Sequence, residues 1–164
     1  TDGPTWLSLT RQSVPPLDRT VFASATEARK GAYVLAEASG SVPEVVLIAS
    51  GSEVGIALAA RDVLEAEGTA ARVVSMPSWH LFAQQDQSYR DLVLPPDISA
   101  RLAVEAGSTF GWARWVGEAG AAVGIDHFGA SAPAETLYER FGVTTENVVN
   151  AARVLLEKMA RAGA

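Results

Sequence analysis

A continuous run of aliphatic residues is the feature that most constrains how this chain folds. Residues 44–49 read Glu-Val-Val-Leu-Ile-Ala, a composition typical of a strand whose two faces are both covered. A Ser-Gly-Ser turn follows at residues 50–52, and apolar residues then recur at helical spacing up to Gly68. Residues 71–76 supply the next strand. The segment therefore predicts one β-α-β unit.

The same alternation of strands and helices continues over the rest of the chain. Further strands are expected at residues 32–36, 101–105 and 121–125, of which the last is predicted to be buried. Helices are expected at residues 133–142 and from Thr144 or Thr145 onward, with shorter ones within residues 77–96 and 111–117. This alternation indicates an α/β fold in three layers, a mostly parallel (mixed) sheet of about five strands flanked by helices.

The first 30 residues depart from this pattern. Residues 4–10 alternate like a strand but have no partner strand next to them in the sequence, so that strand must pair elsewhere. The stretch that follows carries Pro15, Pro16 and no sustained period, as a linker does. We therefore expect residues 1–12 to belong to the sheet of a preceding domain, residues 13–30 to form a linker, and residues 31–164 to form the α/β domain.

The composition excludes several classes of function. With 13 Lys and Arg against 19 Asp and Glu, the net charge of −6 has the wrong sign for binding nucleic acid. The chain has no cysteine, which rules out disulfide scaffolds, thiol nucleophiles and Cys-ligated metals within it and fits a cytoplasmic location. Its longest apolar stretches fall far short of the ~20 residues that cross a bilayer, so no membrane partner is expected.

Few residues of the chain are suited to metal binding or catalysis. The two histidines, His80 and His127, lack the spacing of a metal site, so no metal ligand is predicted. Asp126 and His127 are adjacent in the sequence and have the side chains of an acid–base pair. Neighbours leaving a strand point to opposite sides, so we interpret both as loop residues. Ser131, in a segment like a nucleophile elbow, is better explained as a helix cap.

Two positions could meet an anion. Ser50, Gly51 and Ser52 lie between a buried strand and a helix start, where free N–H groups can hold a phosphate. The alternative, which a turn of this kind favours, is that Ser52 only caps the helix. Arg11 ends the first predicted strand, at the end where α/β sheets meet their ligands. The alternative for Arg11 is a surface residue at the start of a linker.

Seven short strings carry a resemblance to a known family. They are Leu9-Thr10-Arg11-Gln12, Ile48-Ala49-Ser50-Gly51-Ser52-Glu53-Val54, Val73-Val74-Ser75-Met76-Pro77-Ser78, Tyr89-Arg90 before Val93-Leu94-Pro95, Val104-Glu105-Ala106-Gly107, Gly111-Trp112, and Asp126-His127-Phe128-Gly129-Ala130-Ser131-Ala132-Pro133. In this order, the strings closely resemble the C-terminal part of transketolase, from Gly3 to about Leu156.

The resemblance implies an enzyme that uses thiamine diphosphate and Mg²⁺ to transfer a two-carbon ketol unit from a ketose phosphate to an aldose phosphate. It places residues 1–12 as the last strand of the pyrimidine-binding domain and residues 31–164 as the C-terminal domain. Arg11 matches the family's arginine that holds the substrate phosphate, a role suited to a guanidinium fork. It implies no catalytic residue and no metal ligand in this chain.

The resemblance also sets expectations for cofactors and partners. The chain alone is expected to be inactive and to bind neither thiamine diphosphate nor Mg²⁺. Its expected partners are the remaining transketolase domains, a second copy in a homodimer, and sugar phosphates. The alternatives are a regulatory module that binds a nucleotide or other anion at residues 50–53, a dimerisation domain, and the C-terminal part of a dihydroxyacetone synthase.

Overall fold

The computed structural model describes residues 3–4, 6, 9–40 and 42–162. Its strands are β1 (Tyr33–Ala36), β2 (Val45–Ala49), β3 (Ala71–Ser75), β4 (Arg101–Val104) and β5 (Ala121–Val123). Its helices are α1 (Glu53–Ala66), α2 (Trp79–Ala83), α3 (Gln87–Val93), α4 (Ala113–Val116), α5 (Ala134–Phe141) and α6 (Thr145–Ala162), and a 3-10 helix spans Ala25–Lys30. No helix among the described residues is long and apolar enough to cross a membrane.

The five strands form one mixed sheet in the order β1-β3-β2-β4-β5. β2 lies at the centre and pairs in parallel with β3 on one side and with β4 on the other. β5 extends the parallel part, whereas β1 is antiparallel to β3. The predicted mostly parallel sheet and its β-α-β unit, β2-α1-β3, are confirmed.

Alternate side chains of the central strands supply two separate apolar cores. Val45 and Leu47 of β2 pack on the side covered by α1 and α6, together with Leu64 and Leu155. Val46 and Ile48 point to the opposite face, where Phe82 of α2, Trp112 and Trp115 cover them. Helices on both faces explain why β2 is apolar at every position, as its composition predicts.

Three local expectations are wrong. β5 is half-buried rather than buried, because it is an edge strand paired with β4 alone. Ser131 does not cap α5, since the helix begins one residue after Pro133 with no side-chain cap. Ser52 occupies the N-cap position of α1, but its hydroxyl makes no capping bond to the helix backbone because it donates to Glu53.

The predicted boundary between a preceding domain and the linker stays a prediction. Thr5, Leu7 and Ser8 of the expected first strand lie outside the described residues, and Trp6, Leu9 and Thr10 are in no strand. Within the expected linker, Leu17 and Phe22 pack against the core on the face of the sheet that α1 and α6 cover. The carbonyl of Gly31, the first residue after the expected linker, accepts the backbone N–H of Ser78 at 2.9 Å.

Candidate functional site

The strand order creates a crevice at one edge of the sheet. The chain leaves β2, returns through β3 on one side and then crosses to β4 on the other. Such a reversal opens a space outside the carboxyl ends of β2 and β4, where α/β proteins bind their ligands. A cavity of about 820 Å³ lies there. We call it the switch-point cleft, and its lining includes Leu9, Thr10, Gln12, Ser50, Gly51, Ser52, Glu53, Glu105 and Tyr138.

Two carboxylates give the cleft its electrostatic character. Ala49 and Val104 are paired in register, so the residues after them, Ser50 and Glu105, are neighbours. The Ser50 hydroxyl donates to Glu105 Oε2 at 3.3 Å. Burial raises the pKa of Glu105, and the nearby Glu53 carboxylate raises it further, while the Ser50 hydrogen bond acts in the opposite direction.

Glu53 is the more deeply buried of the two and lies at the centre of a hydrogen-bond network. Its side chain is 5% exposed, and its Oε1 accepts from Ser52 Oγ and from the Tyr138 hydroxyl, each at 2.7 Å. Burial, and then the hydrogen bond to Glu53, raise the pKa of Tyr138. Charge-assisted bonds of this kind are the stronger class of hydrogen bond. The network joins the first turn of α1 to α5.

The network continues from Tyr138 to the N-terminal segment. The amide Nε2 of Gln12 donates to the Tyr138 oxygen at 3.1 Å, and Gln12 Oε1 accepts from the Thr10 hydroxyl. The neighbouring Arg11 is exposed, and among the described residues its guanidinium has no hydrogen-bond or ion-pair partner. Arg11 is not itself a lining residue, but its chain neighbours Thr10 and Gln12 both line the cleft. We call this backbone position, between two lining residues, the rim of the cleft.

Ser50, Gly51 and Ser52 come together in the cleft, but their surroundings weigh against an anion there. The hydroxyls of Ser50 and Ser52 both donate to carboxylates. Negative charge on Glu53 and Glu105 repels a phosphate at the same turn. The anion site at residues 50–52 stays a prediction.

Asp126 and His127 lie in the loop after β5, as expected. Asp126 accepts the backbone N–H of Thr109 at 2.8 Å and the hydroxyls of Ser108 and Thr109. These bonds, chiefly those from Thr109, lower the pKa of Asp126. His127 instead packs edge-on against Phe141, with ring centroids 4.7 Å apart. The two side chains therefore serve separate local contacts and do not act as an acid–base pair.

The described residues supply no metal centre. They contain no group of three or more His, Cys, Asp or Glu side chains that could hold a metal ion. Glu53 and Glu105 are engaged with hydroxyl donors, whereas Mg²⁺ binds through carboxylate oxygens and waters in near-octahedral geometry. These residues do not fit a Mg²⁺ site.

Comparison with known proteins identifies the family. The family model described as the transketolase-like TK C-terminal domain matches residues 31–144. The chain belongs to the transketolase family. A transketolase from Geobacillus stearothermophilus is 49% identical over 158 residues, which are 96% of this chain and 24% of that protein. The chain thus corresponds to the C-terminal portion of transketolases and spans about a quarter of this relative's length.

Solved transketolase structures share the fold. A transketolase from Leishmania mexicana superimposes with a TM-score of 0.75 at 41% identity, covering 83% of this chain and 19% of that one. A transketolase from Pichia stipitis, solved in complex with sedoheptulose 7-phosphate, gives a TM-score of 0.77 at 35% identity over 90% of this chain and 20% of that one. The resemblance drawn from the short strings is confirmed.

Sequence reasoning found the turn at residues 50–52 but missed the groups around it. Glu105 could have been found, because it follows β4 as Ser50 follows β2, and parallel strands end at the same edge. Glu53 is adjacent to the turn itself. Tyr138 gives no such signal, since its contact with Ser52 spans 86 residues and depends on where α5 packs.

Proposed function

We propose that this chain works as the C-terminal portion of a transketolase that transfers a two-carbon ketol unit between sugar phosphates, and that Arg11 binds the substrate phosphate. The observation that carries the proposal is the match of nearly the whole chain to transketolases, 49% identical over 96% of its length. The arginine in Leu9-Thr10-Arg11-Gln12 supports the second part. The relatives named above favour this function over a regulatory module or a dihydroxyacetone synthase.

The position of Arg11 is suited to this role. The residue is exposed, its chain neighbours Thr10 and Gln12 line the switch-point cleft, and no described acidic side chain is paired with it. A guanidinium in this state can offer two parallel N–H donors to a phosphate. Phosphate binding by Arg11 therefore requires no existing ion pair among the described residues to break.

In the complete enzyme, thiamine diphosphate with Mg²⁺ would supply the chemistry that breaks and forms the carbon–carbon bond. We propose that both are held by the preceding domains, because the described residues offer no fitting metal site. This chain's own contribution is to hold and orient the sugar phosphate. We also propose that the complete enzyme is a homodimer, that it is cytoplasmic, and that it acts in the pentose phosphate pathway.

Large exposed apolar side chains support contact with further protein surface at this edge of the sheet. Trp6 is 85% exposed, and Leu9, Phe110 and Phe128 are also exposed. Phe110 and Phe128 flank a second cavity of about 600 Å³, which shares Ile125 with the switch-point cleft. Apolar groups gathered on one face are typical of protein contact sites. We propose the remaining transketolase domains as the partner.

Replacing Arg11 by Ala in the complete enzyme tests the role of this residue. A hydrogen bond to a charged group contributes about 1.5 to 3 kcal/mol, so kcat/KM for a phosphorylated acceptor should fall by about 10- to 150-fold. The loss should appear mainly in KM, because the phosphate is bound about equally in the ground and transition states. The measurement is KM for acceptors with and without phosphate.

Arg19→Ala is the matched control, because Arg19 lies in the same segment and donates to the Ala23 carbonyl within it. It should change neither KM. Arg11→Lys should recover part of the loss, since it keeps the charge but not the fork. Equal losses on both acceptors with Arg11→Ala would show that Arg11 is a structural residue and would refute this part of the proposal.

A further inference from the structure

In the described part of residues 3–16, one side-chain hydrogen bond connects the segment around Arg11 to the α/β domain. Among the described residues from 3 to 16, only Gln12 makes a side-chain hydrogen bond to residues beyond 30, and its partner is Tyr138. Arg11 itself is exposed and contributes no such anchor. The orientation of Arg11 relative to the domain therefore depends on how firmly Gln12 is held.

Tyr138 is well placed to hold Gln12. Its ring packs against the core beside α1, and its hydroxyl donates to Glu53 Oε1 at 2.7 Å. A phenol has one proton to donate. Because that proton is directed at the buried Glu53 carboxylate, the Tyr138 oxygen remains as an acceptor for Gln12. Glu53 thus determines that Gln12 is the donor and Tyr138 the acceptor in the hydrogen bond between them.

Gln12 is restrained at both ends of its amide. Oε1 accepts from the Thr10 hydroxyl and Nε2 donates to Tyr138. The two residues held in this way flank Arg11 on either side. Restraint of both neighbours limits the backbone conformations open to Arg11 and reduces the ordering that substrate binding would otherwise require.

We infer that Tyr138 is a positioning residue: through Gln12 it holds Arg11 at the rim of the switch-point cleft, in place to meet the phosphate of the substrate. This inference rests on the proposed role of Arg11 and adds the device that orients it. In this proposal Tyr138 acts on Arg11 through Gln12 and not by contact with the substrate. Its contribution is to reduce the conformational freedom of the arginine before binding.

Kinetics of Tyr138→Phe in the complete enzyme test the inference. The substitution keeps the ring in the core and removes the hydroxyl that accepts from Gln12. KM for a phosphorylated acceptor should rise by about two- to tenfold, the effect of one net hydrogen bond, while KM for an unphosphorylated acceptor and kcat stay unchanged. Gln12→Ala should give a similar result. In an Arg11→Ala background, Tyr138→Phe should have no further effect.

Tyr89→Phe is the matched control. The Tyr89 hydroxyl donates to the Ala32 carbonyl at 3.0 Å, and its ring packs against the core on the other face of the sheet. Loss of this hydroxyl should leave both KM values unchanged. If Tyr138→Phe affects both acceptors alike, or matches Tyr89→Phe, Tyr138 only stabilises the fold and the inference is wrong.

Proteolysis of the 164-residue chain measures the anchor without any substrate. Trypsin cleavage after Arg11 should be faster in Tyr138→Phe than in Tyr89→Phe, while cleavage after Arg19, held by its own bond to Ala23, serves as the internal reference. An unchanged rate of cleavage after Arg11 would show that the Tyr138 hydroxyl does not anchor this segment.

The kinetic results separate this inference from the proposed function. If Arg11→Ala discriminates between the two acceptors and Tyr138→Phe does not, Tyr138 is not a positioning residue and the proposed function stands. Failure of Arg11→Ala to discriminate refutes the role of Arg11 itself.

Discussion

Gly31→Ala should destabilise the chain strongly, because Gly31 lies against the backbone at the start of α2. Its φ of +86° is one that L side chains rarely adopt, at a cost of about 1 to 2 kcal/mol. A Cβ at this position would lie 2.2 Å from the backbone nitrogen of Phe82 and 2.5 Å from the carbonyl oxygen of Ser78. Both are backbone atoms of a packed helix start, and overpacking there adds about 1 to 3 kcal/mol.

The sum for Gly31→Ala is a loss of about 2 to 5 kcal/mol in the free energy of unfolding, measured by urea denaturation monitored through tryptophan fluorescence. Gly68→Ala is the matched control, since Gly68 has a φ of +87° but no atom within 4 Å of the added Cβ. Gly68→Ala should lower the free energy of unfolding only by the cost of a positive φ, about 1 to 2 kcal/mol. Equal losses at the two positions would refute the close contact between Gly31 and α2.

Two further stability predictions follow from single residues. Because burial raises the pKa of folded Glu105, the folded chain binds more protons than the unfolded chain just above pH ~4.5, so this group lowers stability as pH rises through that window. In thermal melts, the Tm of Glu105→Gln minus the Tm of the exposed control Glu118→Gln should therefore increase from acid to neutral pH. A constant difference would contradict the prediction. Gly55→Ala in α1, where no atom from outside the local helix backbone lies within 4 Å of the added Cβ, should stabilise the chain by about 0.5 to 1 kcal/mol, and a lower urea midpoint would contradict this.

The sheet could be predicted because its signals are local. The run at residues 45–49 is apolar at every position, and β2, which it forms, is buried along its whole length. Gly68 follows α1 with a φ of +87°, as the sequence suggests for a helix end. The half-buried state of β5 could not be predicted, because it depends on strand order. Nothing within residues 121–125 shows that this strand lies at an edge.

The cleft could be predicted only in part. Ser50 and Ser52 stand between a strand and a helix, a pattern that fits either an anion site or, as such a turn favours, a helix cap at Ser52. The carboxylates that weigh against the anion site come from α1 and from the residue after β4, which the register brings beside Ser50. Tyr138 could not be found, because its role depends on the packing of α5 against α1. Local patterns predict elements, whereas the chemistry of this cleft arises from their arrangement.

Exchange of a segment between two proteins tests directly whether this chain works as the C-terminal portion of a transketolase. In the transketolase from Geobacillus stearothermophilus, the portion that matches this chain at 49% identity is replaced by this chain, and ketol transfer from a ketose phosphate to an aldose phosphate is measured with thiamine diphosphate and Mg²⁺. We expect a rate within about tenfold of the parent, a difference of about 1.4 kcal/mol in activation free energy. A folded exchange protein that binds the cofactor but transfers no ketol unit would contradict this expectation.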